Sequence, residues 1–194
     1  MNFCSNCGSS NIGRRVPPGD HLPRYICDAC GEIFYHNPKM VVGCIAQWAG
    51  KILLVKRAIE PRYGWWTLPA GYMENQETAG QGAAREAREE ALADIEIGML
   101  YTHFSIPHIN QVYIMYLAHL IGPKFGAGEE SLAAELFSEE EIPWDELAFP
   151  VMRKTLELYY EDRRNGYFRC HSGDITYENH DRRQALEYAV SSSP

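Results

Sequence analysis

Apolar positions along this chain recur in two rhythms. Residues 40–48 and 51–57 are runs rich in branched apolar residues on either side of Ala49-Gly50, a pattern that predicts a hairpin. A short strand over 65–68 runs into Pro69-Ala70-Gly71, where proline and glycine fix a sharp bend. Residues 95–104 and 111–120 alternate or run apolar with many aromatic and β-branched side chains, so both read as strands joined by a loop over 105–110. A further short strand is expected at about 134–137. Two stretches carry a helical rhythm instead. Residues 78–92 are rich in Ala, Glu, Gln and Arg, with Thr78 placed as N-cap. Residues 150–164 set Met152, Leu156, Leu158, Tyr159 and Tyr160 on or near one apolar face. Residues 33–38 read as a connector, and 58–64 and the glycine-rich 122–130 as loops. From Asn165 onward the periodicity fades, which predicts a short strand and a loose tail. The fold class implied is α+β, divided into 1–36, 37–164 and a C-terminal extension over 165–194.

The helix over 78–92 carries the first candidate chemistry. At offsets of three and four, Glu86, Glu89 and Glu90 share one face, beside a stripe of Ala83, Ala84, Ala87 and Ala91 that can pack closely on a sheet. Like charges at these offsets each cost a bare helix about 0.2–0.5 kcal/mol. Hard oxygen ligands gathered in this way suit Mg2+ or Mn2+ bridging to a phosphorylated substrate. The alternative is a solvated charged face tied by Arg85 and Arg88.

The second candidate is a metal site of another kind. Cys4-Ser-Asn-Cys7-Gly and Cys27-Asp-Ala-Cys30-Gly form two CxxCG turns with the spacing of a closed four-cysteine Zn2+ site. Such a site has no open position, so its role is structural, and His21 between the turns is a surface residue. Cys44 reads as a small buried hydrophobe, and the adjacent Cys170 and His171 have no second pair with which to hold a metal.

Composition and charge narrow the partners. With 194 residues, 45% hydrophobic and 23% charged, the chain suits one core domain and a small appendage. A net charge of −8 argues against a protein that grips nucleic acid by neutralising phosphates. Neither a signal peptide nor an eighteen-residue apolar run is present in the sequence, so a cytoplasmic protein with no membrane span is expected, its cysteines reduced or metal-bound.

The stretch from Gly71 fits the string Gx5Ex7REUxEExGU, with U a bulky apolar residue. Gly71, Glu77, Arg85, Glu86, Glu89 and Glu90 match; Ala87 is a small occupant of the first U position, and Ala91 stands for the usual glycine. In this the chain resembles the Nudix hydrolases. Together with the cysteine turns, NPKMVVGC at 37–44, LPAGYME at 68–74, GEESL at 128–132 and LAFP at 147–150 look like the zinc-ribbon branch that includes plant chloroplast FAD pyrophosphatases. The SQPWPFPxS element of NADH pyrophosphatases does not follow the box. The resemblance implies an α/β/α sandwich around a mixed sheet, preceded by a small zinc ribbon. It implies metal-dependent hydrolysis of a nucleoside diphosphate linked to a group X: FAD to FMN and AMP, or ADP-ribose to AMP and ribose 5-phosphate. Glu86, Glu89 and Glu90 would hold Mg2+ or Mn2+ with the Gly71 carbonyl, Glu77 would brace Arg85, and Glu129 or Glu130 would add a ligand or base. For the nucleotide, Arg62, Tyr63 and Trp66 are the leading candidates, followed by Trp65, Phe104, Tyr113 and His108; aromatic residues in strands are more often core. Enzymes of this kind are often homodimers. The rival reading is a nucleotide-sensing regulator of the same fold whose ribbon contacts nucleic acid or protein.

Overall fold

The computed structural model describes residues 1–177 and 186–192, with side chains through Thr176. It separates into two units, 1–38 and 39–194.

In the first unit, β1 (Ile12–Arg15), β2 (Arg24–Cys27) and β3 (Ile33–Phe34) form an antiparallel sheet in that order. The start of the expected connector is thus a strand, because Ile33 and Phe34 find backbone partners in Ile26 and Tyr25.

The second unit is built on one mixed sheet. Its strands are β4 (Lys39–Trp48), β5 (Lys51–Arg57), β6 (Trp66–Thr67), β7 (Ala70–Tyr72), β8 (Ile95–Ile106), β9 (Gln111–Leu120), β10 (Ser131–Phe137), β11 (His171–Tyr177) and β12 (Leu186–Ser192). The order is β10-β5-β4-β9-β8-β11-β12, with β6 paired to β5 and β7 to β4. The pairs β4–β9 and β8–β11 are parallel and the rest antiparallel. The helices are α1 (Ala79–Ala91) and α2 (Pro150–Asn165).

Strand alternation sends successive side chains to opposite faces. Cys44 and Ala46 of β4 and Leu53 and Val55 of β5 meet Ala87 and Ala91 of α1, whereas Val41, Ile45, Ile52 and Leu54 join Leu156 and Tyr159 of α2. The face that α1 presents to this side is made of alanines, so the helix beds closely on the sheet. A capping box starts it: Thr78 Oγ1 accepts from the Gln81 amide at 3.2 Å, and Gln81 Oε1 accepts from the Thr78 amide at 2.8 Å.

Two further expectations need correction. The loop after β8 shrinks, since the strand runs to Ile106 and only a 3-10 turn, Pro107–Ile109, separates it from β9. The extension contributes two paired strands rather than one strand and a tail, because β11 adds itself to β8 in parallel. Residues 178–185 and 193–194, which fall in that extension, lie outside the described residues. No helix among the described residues is long and apolar enough to cross a membrane.

Candidate functional site

Arg85 organises the acidic face of α1. Its Nε and Nη2 donate to the two oxygens of Glu77 at 3.1 and 2.9 Å, and Nη2 also donates to the Tyr72 carbonyl at 3.0 Å. Nη1 donates to Glu86 Oε1 at 2.8 Å and to Glu89 Oε2 at 2.9 Å. The charged hydrogen bonds from Arg85 hold the Glu77 carboxyl below its ordinary range, and Glu77 in turn raises the guanidinium. Glu77 itself is held by a bond from the Glu74 amide at 2.7 Å. The guanidinium is therefore clamped in place, and its remaining nitrogen separates two of the glutamates.

Glu86 and Glu90 are buried, at 8% and 7% exposure, while Glu89 faces solvent. Glu90 Oε2 accepts from the Ala70 amide at 3.0 Å. Burial pushes the Glu90 carboxyl up to about 8, with Glu86 and Glu130 adding repulsion against the pull of the Ala70 amide and Arg57. Burial also raises Glu86. Gly71 sits directly against Glu86: a Cβ there would stand 2.4 Å from the carboxylate oxygens, so only glycine leaves the acid room beside the β7 backbone. These residues line one cavity of about 1270 Å³ together with Arg57, Glu129 and Glu130.

The glycine-rich loop reaches this cavity by docking on the end of α1. The amides of Gly126 and Gly128 donate to the carbonyls of Ala91 and Glu90 at 2.8 and 3.0 Å, satisfying helix-end acceptors that the helix itself leaves open. The approach is so close that a Cβ on Gly128 would fall 1.7 Å from the Glu89 carbonyl oxygen, and that oxygen belongs to backbone that cannot swing aside. Gly128→Ala is expected to cost about 1–3 kcal/mol of stability by overpacking. Denaturant unfolding checks this, and turnover should fall with it as Glu129 and Glu130 are displaced.

Counted along the motif, the glycine position falls on Leu92 rather than Ala91. Leu92 closes α1 in the left-handed conformation, φ 48° and ψ 31°, a geometry that favours glycine. Leu92→Gly removes a side chain that is 58% exposed and relieves this strain, set against the larger entropy of glycine in the unfolded chain. A net gain of about 0.5 kcal/mol is expected, read as a small rise in Tm.

An apolar part of the lining comes from Val41, Ile106, Tyr113, Met152 and Ile175, drawn from β4, β8, β9, α2 and β11. Arg57, 9% exposed, also faces the cavity. Its Nε donates to the Pro61 carbonyl at 3.0 Å and its guanidinium lies 5.1 Å from the Phe149 ring centre. Among the described residues no carboxylate pairs with it.

Of the nucleotide-binding candidates, Arg62, His108 and Tyr113 line the cavity. Arg62 has φ 70° and places its guanidinium 4.9 Å from the Trp65 ring centre. Trp66 does not line it: strand pairing with β5 turns this ring into the core, 7% exposed and edge-on to Phe137 at 4.9 Å. Phe104 is likewise fully buried core, and Tyr63, 56% exposed, lies outside the lining. The sequence reading missed Arg57 and Ile175. Arg57 is an ordinary basic strand end until the 58–64 loop and Phe149 enclose it.

The second metal candidate lies in the first unit. The four cysteine sulfurs lie within 4.8 Å of one another, the one such donor group among the described residues. Cys4 and Cys30 sulfurs are 3.7 Å apart and those of Cys7 and Cys27 are 3.6 Å apart. Sulfurs bonded at about 2.3 Å around a tetrahedral Zn2+ stand about 3.8 Å from one another, so this geometry fits the ion. Against burial, which raises it, the amides of Cys30 and Ala29 lower the Cys27 thiol to about 7, favouring the thiolate that a metal needs.

A NUDIX domain model matches residues 37–159, and the N-terminal zinc-ribbon model of Nudix proteins matches residues 2–36. The chain belongs to the Nudix family. It is 31% identical over 121 residues to an ADP-ribose pyrophosphatase of Methanocaldococcus jannaschii, covering 59% of this chain and 69% of that protein. It is 29% identical over 166 residues to an NAD-capped RNA hydrolase, NudC, of Stutzerimonas stutzeri, covering 83% of this chain and 56% of the relative. A crystal structure of a NUDIX hydrolase from Nitrosomonas europaea superposes with a TM-score of 0.88 at 52% identity, over 91% of this chain and all of the other. Within its family the chain is a pyrophosphatase, a hydrolase of phosphorus anhydrides.

Proposed function

We propose that this enzyme hydrolyses the diphosphate of a nucleoside diphosphate linked to X, with ADP-ribose and FAD as the leading substrates. The carrying observation is that one cavity joins an acidic wall from α1 and the 122–130 loop to an apolar wall from the other face of the sheet. A diphosphate linking a polar and a planar moiety has that same duality. The ADP-ribose reading is supported by the activity named for the M. jannaschii relative. The FAD reading is supported by the resemblance of the motifs at 37–44, 68–74, 128–132 and 147–150 to those of the plant chloroplast branch.

Glu86, Glu89 and Glu90, with the Gly71 carbonyl and Glu130, would hold Mg2+ or Mn2+. The donor set fits, being hard oxygens whose buried members are disfavoured as bare anions by burial. Such an ion, when bound, neutralises the diphosphate and lowers the pKa of attacking water. Arg85 fixes the carboxylates, and Glu89 can turn from it toward the cavity because its side chain is 59% exposed. Arg57 offers its unpaired nitrogens to phosphate oxygens, where a planar fork suits two oxygens at once. Tyr113, Met152 and Ile175 receive the planar ring. Proton acceptance falls to Glu89 or Glu130.

The test is a screen of FAD, ADP-ribose, NADH and diadenosine polyphosphates with Mg2+ and product identification. AMP plus the phosphorylated partner is the expected outcome, and the proposal fails if nucleotides bind without being cleaved.

A further inference from the structure

The family match ends at residue 159, yet Ile175 of β11 is 1% exposed and lines the cavity with Ile106, Tyr113 and Met152. Side chains two apart on a strand share a face, so Ile175 and His171 project to the same side of the sheet, the side α2 covers. His171 Nε2 lies 2.8 Å from Asp162 Oδ2 on α2. The same oxygen accepts from the Tyr101 hydroxyl at 3.1 Å and from the Arg169 amide at 3.3 Å. Three polar groups thus converge on one carboxylate whose side chain is 3% exposed, next to a histidine side chain that is 2% exposed.

Around this point Phe168 stacks on Tyr159 with ring centres 5.3 Å apart, and Tyr101 meets the His171 ring edge-on at 5.3 Å. The chain leaving α2 is therefore pinned at 168 and 171 before it joins β8, with His171 opposite Thr102 and Asp174 opposite Ser105. Apolar residues would fill this space as well; what a buried polar pair adds is a unique register. Slipping β11 by one residue would remove His171 from Asp162 and turn Ile175 away from the cavity.

We infer that Ile175 is a specificity-determining residue of the nucleotide cavity, and that Asp162 and His171 are positioning residues that hold it there. The inference rests on the pyrophosphatase reading above: Ile175 contacts the planar, apolar part of the nucleotide and takes no part at the diphosphate. Shortening it therefore weakens binding and leaves the acidic wall intact.

The test measures kcat and KM for ADP-ribose with Mg2+ and, independently of turnover, the Kd for AMP by calorimetry. Ile175→Ala should raise both KM and Kd about tenfold, the effect of lost methylenes in an apolar pocket, with kcat within threefold of wild type. Ile175→Val should restore both to within about twofold. Asp162→Asn should reproduce the Ile175→Ala shift wherever circular dichroism shows it folded, and Ile175→Ala alone decides if it unfolds. An unchanged Kd in Ile175→Ala, or a fall in kcat at constant KM, overturns the inference while hydrolysis by the wild type stands. A wild type that does not hydrolyse but whose AMP affinity shifts with Ile175 overturns the hydrolase reading and leaves this wall in place. A wild type that neither cleaves nor binds AMP removes both.

Discussion

Glu90→Gln is expected to lower kcat for Mg2+-dependent ADP-ribose hydrolysis by roughly 10²–10³-fold, the cost of losing one preorganised electrostatic group. The same change should raise the stability of the metal-free protein. Glu90 carries a carboxyl moved from its ordinary 4.5 to about 8, chiefly by burial. Between those values the unfolded chain has released its proton and the folded chain keeps it. Unfolding then releases a proton, so stability falls as pH rises from about 4.5 to about 8 and is flat beyond either end. At pH 8 the isostere avoids a penalty on the order of 4 kcal/mol. Mg2+ should remove the same penalty in the wild type by replacing the proton with a cation, and should shift the Tm of the variant much less. Thermal scans at pH 5 and pH 8, with and without Mg2+, read all of this. Unchanged turnover in the variant, or equal Tm for both proteins at pH 8 without metal, would remove Glu90 from the site.

What the sequence revealed was local in origin. The face shared by Glu86, Glu89 and Glu90, the Thr78 cap and the strands over 40–48, 51–57 and 111–120 follow from period and propensity within a few residues. The motif resemblance placed Glu77 and Arg85, and the structure brings them into bidentate contact. What stayed hidden depends on distant pairing. Trp66 reads as a candidate for stacking on a base until its pairing with β5 decides which face it occupies. Asp162 looks like one more polar residue of an amphipathic helix, and becomes the anchor of β11 only because a parallel pairing with β8 brings His171 to it. Gly128 reads as loop flexibility, whereas its amide and its missing side chain are what let the loop close on α1. Nothing in the local pattern of 165–177 announces a cavity wall, since Ile175 stands between the polar residues Asp174 and Thr176.

Cys27→Ser is expected to unfold the first unit and leave the second standing. Besides cysteines, residues 1–38 bury little more than Ile26 and Pro17. Burying an apolar side chain contributes about 1.5–3 kcal/mol, while ordering each residue costs about 1–2 kcal/mol of backbone entropy. Three short strands cannot close that gap. Structural Zn2+ binding, worth about 10–16 kcal/mol in comparable small modules, can. The wild type should therefore carry one Zn2+ per chain, measured by atomic absorption, and the variant none. Hydrogen exchange should show the amides of β1, β2 and β3 losing protection in the variant and in the chelated wild type alike. Amides of β4, β5 and β9 should keep theirs, because the two units are separately compact. Protection of the ribbon strands without metal would show that the hydrogen bonds around the two turns suffice, and would reduce the four cysteines to ordinary thiols.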